Sequence, residues 1–194
     1  MTPPCALETD RLLLRAWSHD DAPRLLDILG REEVTQWLGD GTPWVMADLD
    51  EAHRTIDRYA ERSATPPIGV WAVEVRSTRS VVGSVMLLPL PHADHGEVEI
   101  AWHLHPDSWG HGYATEAARA LLDYGFGQGL PEILAVTHVG NDASGRVCAR
   151  LGMRDEGVVR KWYDVDMQLY RITAQAFRLT TAGPLASGAD HPEV

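Results

Sequence analysis

A chain of 194 residues, 44% hydrophobic and 23% charged, has room for one domain with a buried core, and no apolar run approaches a membrane span. Its formal net charge of −11 argues against a nucleic-acid partner, since phosphate binding needs clustered Lys and Arg; an acidic surface attracts amines, or simply keeps the protein in solution. The start, Met1 to Ala6, lacks the basic and apolar segments of a signal peptide, and Cys5 and Cys148 make no disulfide framework, so two free thiols in the cytoplasm are expected.

Arg11 to Arg15, an arginine-flanked leucine run, reads as the first strand. Ser18 opens a helix, with Asp21 completing a capping-box-like pair and Gly30 ending it. A short helix is expected over 32–38 and a longer one over 46–63, where Leu49, Ala52, Ile56 and Tyr59 recur at helical spacing. Thr65-Pro66-Pro67 breaks it. Residues 69–75 and 81–88 form a hairpin, and 97–104 a central strand. A helix over 114–126 turns Ala117, Ala118, Leu121 and Leu122 inward, with Tyr124 or Gly125. A strand over 132–139 follows, then a helix over 143–151 capped by Asn141 and Asp142 and stopped by Gly152. Strands over 154–160 and 166–172 close the domain. This order gives an α/β fold, one mixed sheet flanked by helices. The domain spans 1–178, and 179–194, without apolar period, reads as a disordered tail.

The stretch from Trp102 to Ala118 carries the chemistry. An apolar strand stops at Pro106, and Gly110 and Gly112 open an alanine-rich helix. Strand, glycine loop and helix N-terminus make an anion cradle. A P-loop is out, because Tyr113 stands where Lys is required. A dinucleotide fingerprint lacks its third glycine, which falls on Thr115.

Four motifs, in order, resemble the GNAT acetyltransferase superfamily, in its RimJ/RimL-like branch: the opening Leu7-x-Thr9-x-Arg11-Leu12 with Leu14 and Arg15, the cofactor motif Trp109-Gly110-x-Gly112-Tyr113-Ala114 with Glu116, Asn141 with Ser144, and Leu151-Gly152-Met153. The resemblance runs from Leu7 to Phe177. It implies a mostly antiparallel sheet with a splayed central strand pair. It also implies acetyl-CoA as donor, without a metal, and a primary amine as acceptor, such as a protein N-terminus. Carried over by position, Trp109, Gly110, His111, Gly112, Tyr113 and Ala114 would hold the CoA pyrophosphate, Leu104 the pantetheine arm by its backbone, and Asn141 the cofactor from the opposite wall. Asn141 reads equally as a helix cap.

Transfer of an acetyl group to an amine needs a base, a donor for the carbonyl oxygen and a partner for the leaving sulfur. Glu97 and Glu99 share a strand face. Glu99 matches the family's recurrent strand glutamate and is the expected base. Many family members carry a tyrosine acid where this chain has Cys148; Ser144 is the expected contact to sulfur instead. Cys148 itself reads as a core residue. His103 or His105 is the alternative base. Both face one way, as metal ligands can, but no third ligand is placed beside them. Trp37, Trp44 and Trp102 are candidates for an acceptor pocket or for the core. The protein would act as a monomer or homodimer, without nucleic acid or membrane. Alternatives are a transferase of another acyl group, such as succinyl, or a non-catalytic acyl-CoA-binding protein.

Overall fold

The computed structural model describes residues 4–42 and 44–181. Its strands are β1 (Leu7–Glu8), β2 (Leu12–Arg15), β3 (Gly69–Val75), β4 (Ser80–Pro89), β5 (Val98–Leu104), β6 (Glu132–His138), β7 (Arg154–Val159) and β8 (Met167–Thr173). Its helices are α1 (Ala22–Leu29), α2 (Glu32–Thr35), α3 (Leu49–Arg62), α4 (Tyr113–Gly127), α5 (Asp142–Arg150) and α6 (Ala174–Thr181). Among the described residues, the strands form one sheet in the order β1-β2-β3-β4-β5-β6-β8-β7.

Every neighbouring pair is antiparallel except β5 and β6. Those two parallel strands hold a single registered pair, Glu99 opposite Leu134. By contrast β4 stays in register with β5 from Gly83 and Leu104 through Pro89 and Val98. Beyond Glu99 the parallel strands therefore part, which is the expected splay. The central strand is pressed hard against β4: a Cβ on Gly83 would stand 2.1 Å from the His103 carbonyl oxygen, so only glycine fits there.

Because side chains alternate along a strand, β5 feeds two different layers. Val98, Ile100 and Leu104 join one core with Ala117, Ala118, Leu121 and Leu122 of α4 and Val147 and Cys148 of α5. On the other face Val70 and Ala72 of β3 pack with Leu25, Ile28 and Leu29 of α1 and Ala52 and Ile56 of α3. Each buried leucine contributes roughly 1.5–3 kcal/mol relative to exposure. Glu99, Ala101 and His103, the alternate set on β5, face this second layer. Of the two candidates at the end of α4, Gly125 is the buried one.

The structure shifts several expected boundaries. α3 starts at Leu49, not at 46, because Asp48 caps it by accepting from the Glu51 amide at 2.8 Å. α2 stops at Thr35, and Trp37 and Leu38 continue as turns. Of the closing strands, β8 lies against β6 and sends β7 to the sheet edge. α6 was not legible. It starts where the Thr173 hydroxyl accepts from the Ala176 amide, and Phe177 anchors it in the core, 5.3 Å between ring centres from Phe126. The first three residues of the expected tail, 179–181, belong to this helix; 182–194 lie outside the described residues.

Candidate active site

The loop after β5 is built to present bare amides. Gly110 and Gly112 adopt φ of 79° and 80°, the left-handed region that costs other residues roughly 1–2 kcal/mol. α4 then begins without any side-chain cap. Its first intrahelical bond runs from the Glu116 amide to the Gly112 carbonyl, so the amides of Tyr113, Ala114 and Thr115 have no helical acceptor. With the positive end of the helix dipole behind them, they form the anion site that the glycine spacing implies.

That loop is clamped from the far end of the sequence. Glu116 accepts from the Thr9 hydroxyl at 2.6 Å, from the Arg11 amide at 3.0 Å and from the Arg11 guanidinium at 2.6 Å. Arg11 also donates to the His111 carbonyl at 3.0 Å and lies over the Tyr113 ring. The Thr9-x-Arg11 motif and the glycine motif, read separately in the sequence, are thus one structural unit.

The cradle is one wall of a cleft of about 1610 Å³, larger than most small-molecule pockets. It follows the gap between β5 and β6 and reaches α2 and α3. The residues to which the resemblance gives a catalytic or cofactor-binding role line it: Glu99, Leu104, the segment from Trp109 to Ala114, Asn141 and Ser144. Two of them are also committed internally. The Leu104 carbonyl accepts from the Trp109 indole at 2.9 Å, which leaves less of its backbone for a ligand and accounts for a tryptophan at that position. The Asn141 side-chain oxygen caps α5 through the Ser144 amide at 3.1 Å. Its amide nitrogen remains for the cleft, so the cap and the ligand-contact readings are compatible. The uncapped amides, the two left-handed glycines and the length of the cleft fit a long ligand with phosphates at one end.

At the point where β5 and β6 still touch stands Glu99, 6% exposed. Burial pushes its pKa up to about 7, against a hydrogen bond donated at 2.6 Å by the Tyr163 hydroxyl. Glu97 is different. Its carboxylate takes the Lys161 ammonium at 2.6 Å, which pulls its pKa down to about 2, and it opens outside this cleft. Charge pairing therefore removes Glu97 as a base. Tyr163 was missed in the sequence. The available signal is a spacing match: Lys161 and Tyr163 stand two apart, as Glu97 and Glu99 do, and the pairs meet one to one.

The two histidines offered as the alternative base sit in surroundings unlike that of Glu99. His103 lines the cleft, but burial pushes its pKa down to about 4, and neither ring nitrogen has a partner. His105 lies outside the cleft, its ring held 3.2 Å from Asp27 and 2.8 Å from Asp107. Among the described residues no group of three or more His, Cys, Asp or Glu stands together as metal ligands do. Trp37 and Trp102 line the cleft, whereas Trp44 does not. Cys148 is fully buried in the core, and burial pushes its thiol up to about 12.

Residues 11–154 match the Acetyltransferase (GNAT) domain family. The chain belongs to the GNAT acetyltransferase family. It is 31% identical over 157 residues to the uncharacterized N-acetyltransferase YoaA of Bacillus subtilis (strain 168), covering 80% of this chain and 86% of that one. Among solved structures, the acetyltransferase from Agrobacterium tumefaciens str. C58 superposes with a TM-score of 0.72 at 25% identity, covering 89% of this chain and 96% of that one. Mycobacterium smegmatis RimJ, in complex with CoA-disulfide, has the same fold, with a TM-score of 0.75 at 22% identity and coverage of 94% and 98%. In this GNAT protein, among the described residues, no helix is long and apolar enough to cross a membrane.

Proposed function

We propose that this GNAT protein transfers the acetyl group of acetyl-CoA to a primary amine, by direct attack within a ternary complex. The observation that carries the reading is Glu99, a buried carboxylate titrating near neutrality at the apex of a cleft whose other end is an uncapped helix N-terminus. Such a carboxylate is ionised often enough at pH 7 to act, yet basic enough to take an ammonium or amine proton. That a RimJ of the same fold was found in complex with CoA-disulfide supports a CoA-type donor.

The loop from Trp109 to Ala114 would hold the pyrophosphate through its amides, with Arg11 supporting the loop. Asn141 would contact the donor from the opposite wall through its free amide nitrogen. Bound acetyl-CoA would supply an activated acyl carbon and a thiol leaving group. Glu99 takes a proton from the amine as nitrogen bonds to that carbon and the carbon–sulfur bond breaks. Ser144, on the first turn of α5 and lining the cleft, donates a hydrogen bond to the departing thiolate, which takes its proton from solvent to become free CoA while Glu99 returns its own to solvent. Tyr163 keeps Glu99 oriented. No enzyme nucleophile is needed, which agrees with an inert, buried Cys148.

The tyrosine acid found in relatives is absent, its place being taken by Cys148, and this favours one rival reading, an acyl-CoA-binding protein without catalysis. Thiol release from acetyl-CoA, measured with a broad panel of amines and N-terminal peptides, separates the two. Release with at least one acceptor, lost in Glu99→Gln, is the expected result. Tight acetyl-CoA binding with no release on any acceptor would establish the rival.

A further inference from the structure

The acceptor end of the cleft holds two polar groups that neither the cradle nor the Glu99–Tyr163 pair uses. Tyr59 and Arg62 lie three residues apart on the last turns of α3, on one helix face, and both line the cleft. Among the described residues, neither the Tyr59 hydroxyl nor the Arg62 guanidinium has a hydrogen-bond or ion-pair partner. At the donor end, where Arg146 and Arg150 of α5 also line the cleft, Arg11 is by contrast committed to Glu116 and the His111 carbonyl. Glu33, the other charge on the acceptor wall, has its own cation in Arg31 at 3.9 Å.

Arg62 lines the same cleft as Glu99 and Tyr163. Burial raises the pKa of both Tyr59 and Tyr163, and the positive charge of Arg62 opposes that rise at each. The Tyr163 hydroxyl is in turn 2.6 Å from Glu99. The base, its phenol partner and the Tyr59–Arg62 pair thus share one cleft. The remaining wall at this end is apolar, with Trp37, Leu38, Ile68, Met86 and Leu88. A guanidinium beside a phenol hydroxyl is a donor set for a carboxylate. A protein N-terminus has its first carboxyl tied up as an amide, so its backbone would give Arg62 no anion.

We propose that Tyr59 and Arg62 form a carboxylate subsite, and that the acceptor is a small amino acid-like amine carrying a free carboxylate and an apolar side chain. This rests on the acetyl-transfer reading above and narrows its acceptor. The carboxylate binds and takes no part in the bond changes: nitrogen bonds to the acetyl carbon, the carbon–sulfur bond breaks, the amine proton goes to Glu99, which returns it to solvent, and the sulfur leaves as thiolate and takes a proton from solvent.

The test compares L-phenylalanine with L-phenylalaninamide and with a phenylalanine-initiated tripeptide, by thiol release from acetyl-CoA. The free acid should exceed both by roughly 10- to 100-fold in kcat/KM, the size expected of a charge-assisted hydrogen bond. Arg62→Gln should bring the acid-to-amide ratio to about one, through KM; Arg62→Lys should restore part of it, and Tyr59→Phe should reduce it less than Arg62→Gln does. Each variant is checked for an unchanged cooperative melt. An acid-to-amide ratio near one in the unaltered protein, or an undiminished ratio in Arg62→Gln, would overturn the subsite. So would thiol release with peptides or other amines and none with the free acid, or a preference for succinyl-CoA over acetyl-CoA that Arg62→Gln abolishes. Failure to bind acetyl-CoA at all would instead overturn the acetyl-transfer reading itself.

Discussion

Replacing Glu99 by glutamine should abolish turnover and make the protein more stable at alkaline pH. The carboxyl is buried, and its pKa rises from 4.5 to about 7. Glutamine keeps the shape and an acceptor for the Tyr163 hydroxyl but carries no charge. At about 1.36 kcal/mol per pH unit, the displacement amounts to roughly 3 kcal/mol once the group is ionised in both states. The sign follows from linkage. A carboxyl whose folded pKa is raised holds its proton more tightly folded than unfolded. That advantage is fully present below about pH 4.5 and is lost as pH rises through 7. Wild type therefore carries the cost of burying a charge at pH 8.5 and escapes it near pH 4.5. Urea unfolding of both proteins at the two pH values isolates the group, because all other titrating residues are common to the pair. Glu99→Gln should gain up to about 3 kcal/mol relative to wild type on going from pH 4.5 to pH 8.5. An equal difference at both pH values, or a wild type relatively more stable at pH 8.5, would refute the idea that Glu99 is held in a desolvated, destabilised state for catalysis.

The pH–rate profile should rise with an apparent pKa of about 7. Tyr163→Phe should move that limb upward by about one pH unit or more, since it removes a hydrogen bond to the charged form; a limb that stays put would belong to the amine. Gly112→Asp should weaken CoA binding at least tenfold by calorimetry while the protein still melts cooperatively, because it puts a carboxylate at the anion site and a side chain at φ of 80°; unchanged affinity would mean that the phosphates lie elsewhere. Glu116→Ala should lower stability by roughly 1–3 kcal/mol, leaving Thr9 and Arg11 without their shared acceptor, and weaken CoA binding with it, read by urea unfolding and titration. A thiol reagent should modify the exposed Cys5 in the native protein and reach Cys148 only on unfolding; rapid native modification of both would contradict the buried, high-pKa thiol.

Tertiary context supplied three things that local pattern lacks. A histidine beside a cleft is expected to titrate near neutrality, but the environment of His103 is too dry for a charge. Glu97 and Glu99 look equivalent on a strand, yet one meets an ammonium and the other a phenol. The closing segments were legible as strands, but the insertion of β8 next to β6 depends on a pairing between residues far apart in the chain, from His138 with Met167 to Glu132 with Thr173, which leaves no trace in local pattern.

The sequence by itself determined the features that neighbours in the chain impose on one another. The glycines at 110 and 112 encode their own left-handed turns. Asn141 three residues before Ser144 encodes its own cap, and Leu121 and Leu122 encode a buried helix face. The backbone conformations and short-range hydrogen bonds of these features are settled within a few residues. Only the tertiary structure decided how Glu99 titrates, that Tyr163 meets it, why Thr9 and Arg11 stand where they do, and that Tyr59 and Arg62 line the same cleft. Desolvation and pairing of distant groups depend on which surfaces the fold brings together, and these residues lie far apart in the chain.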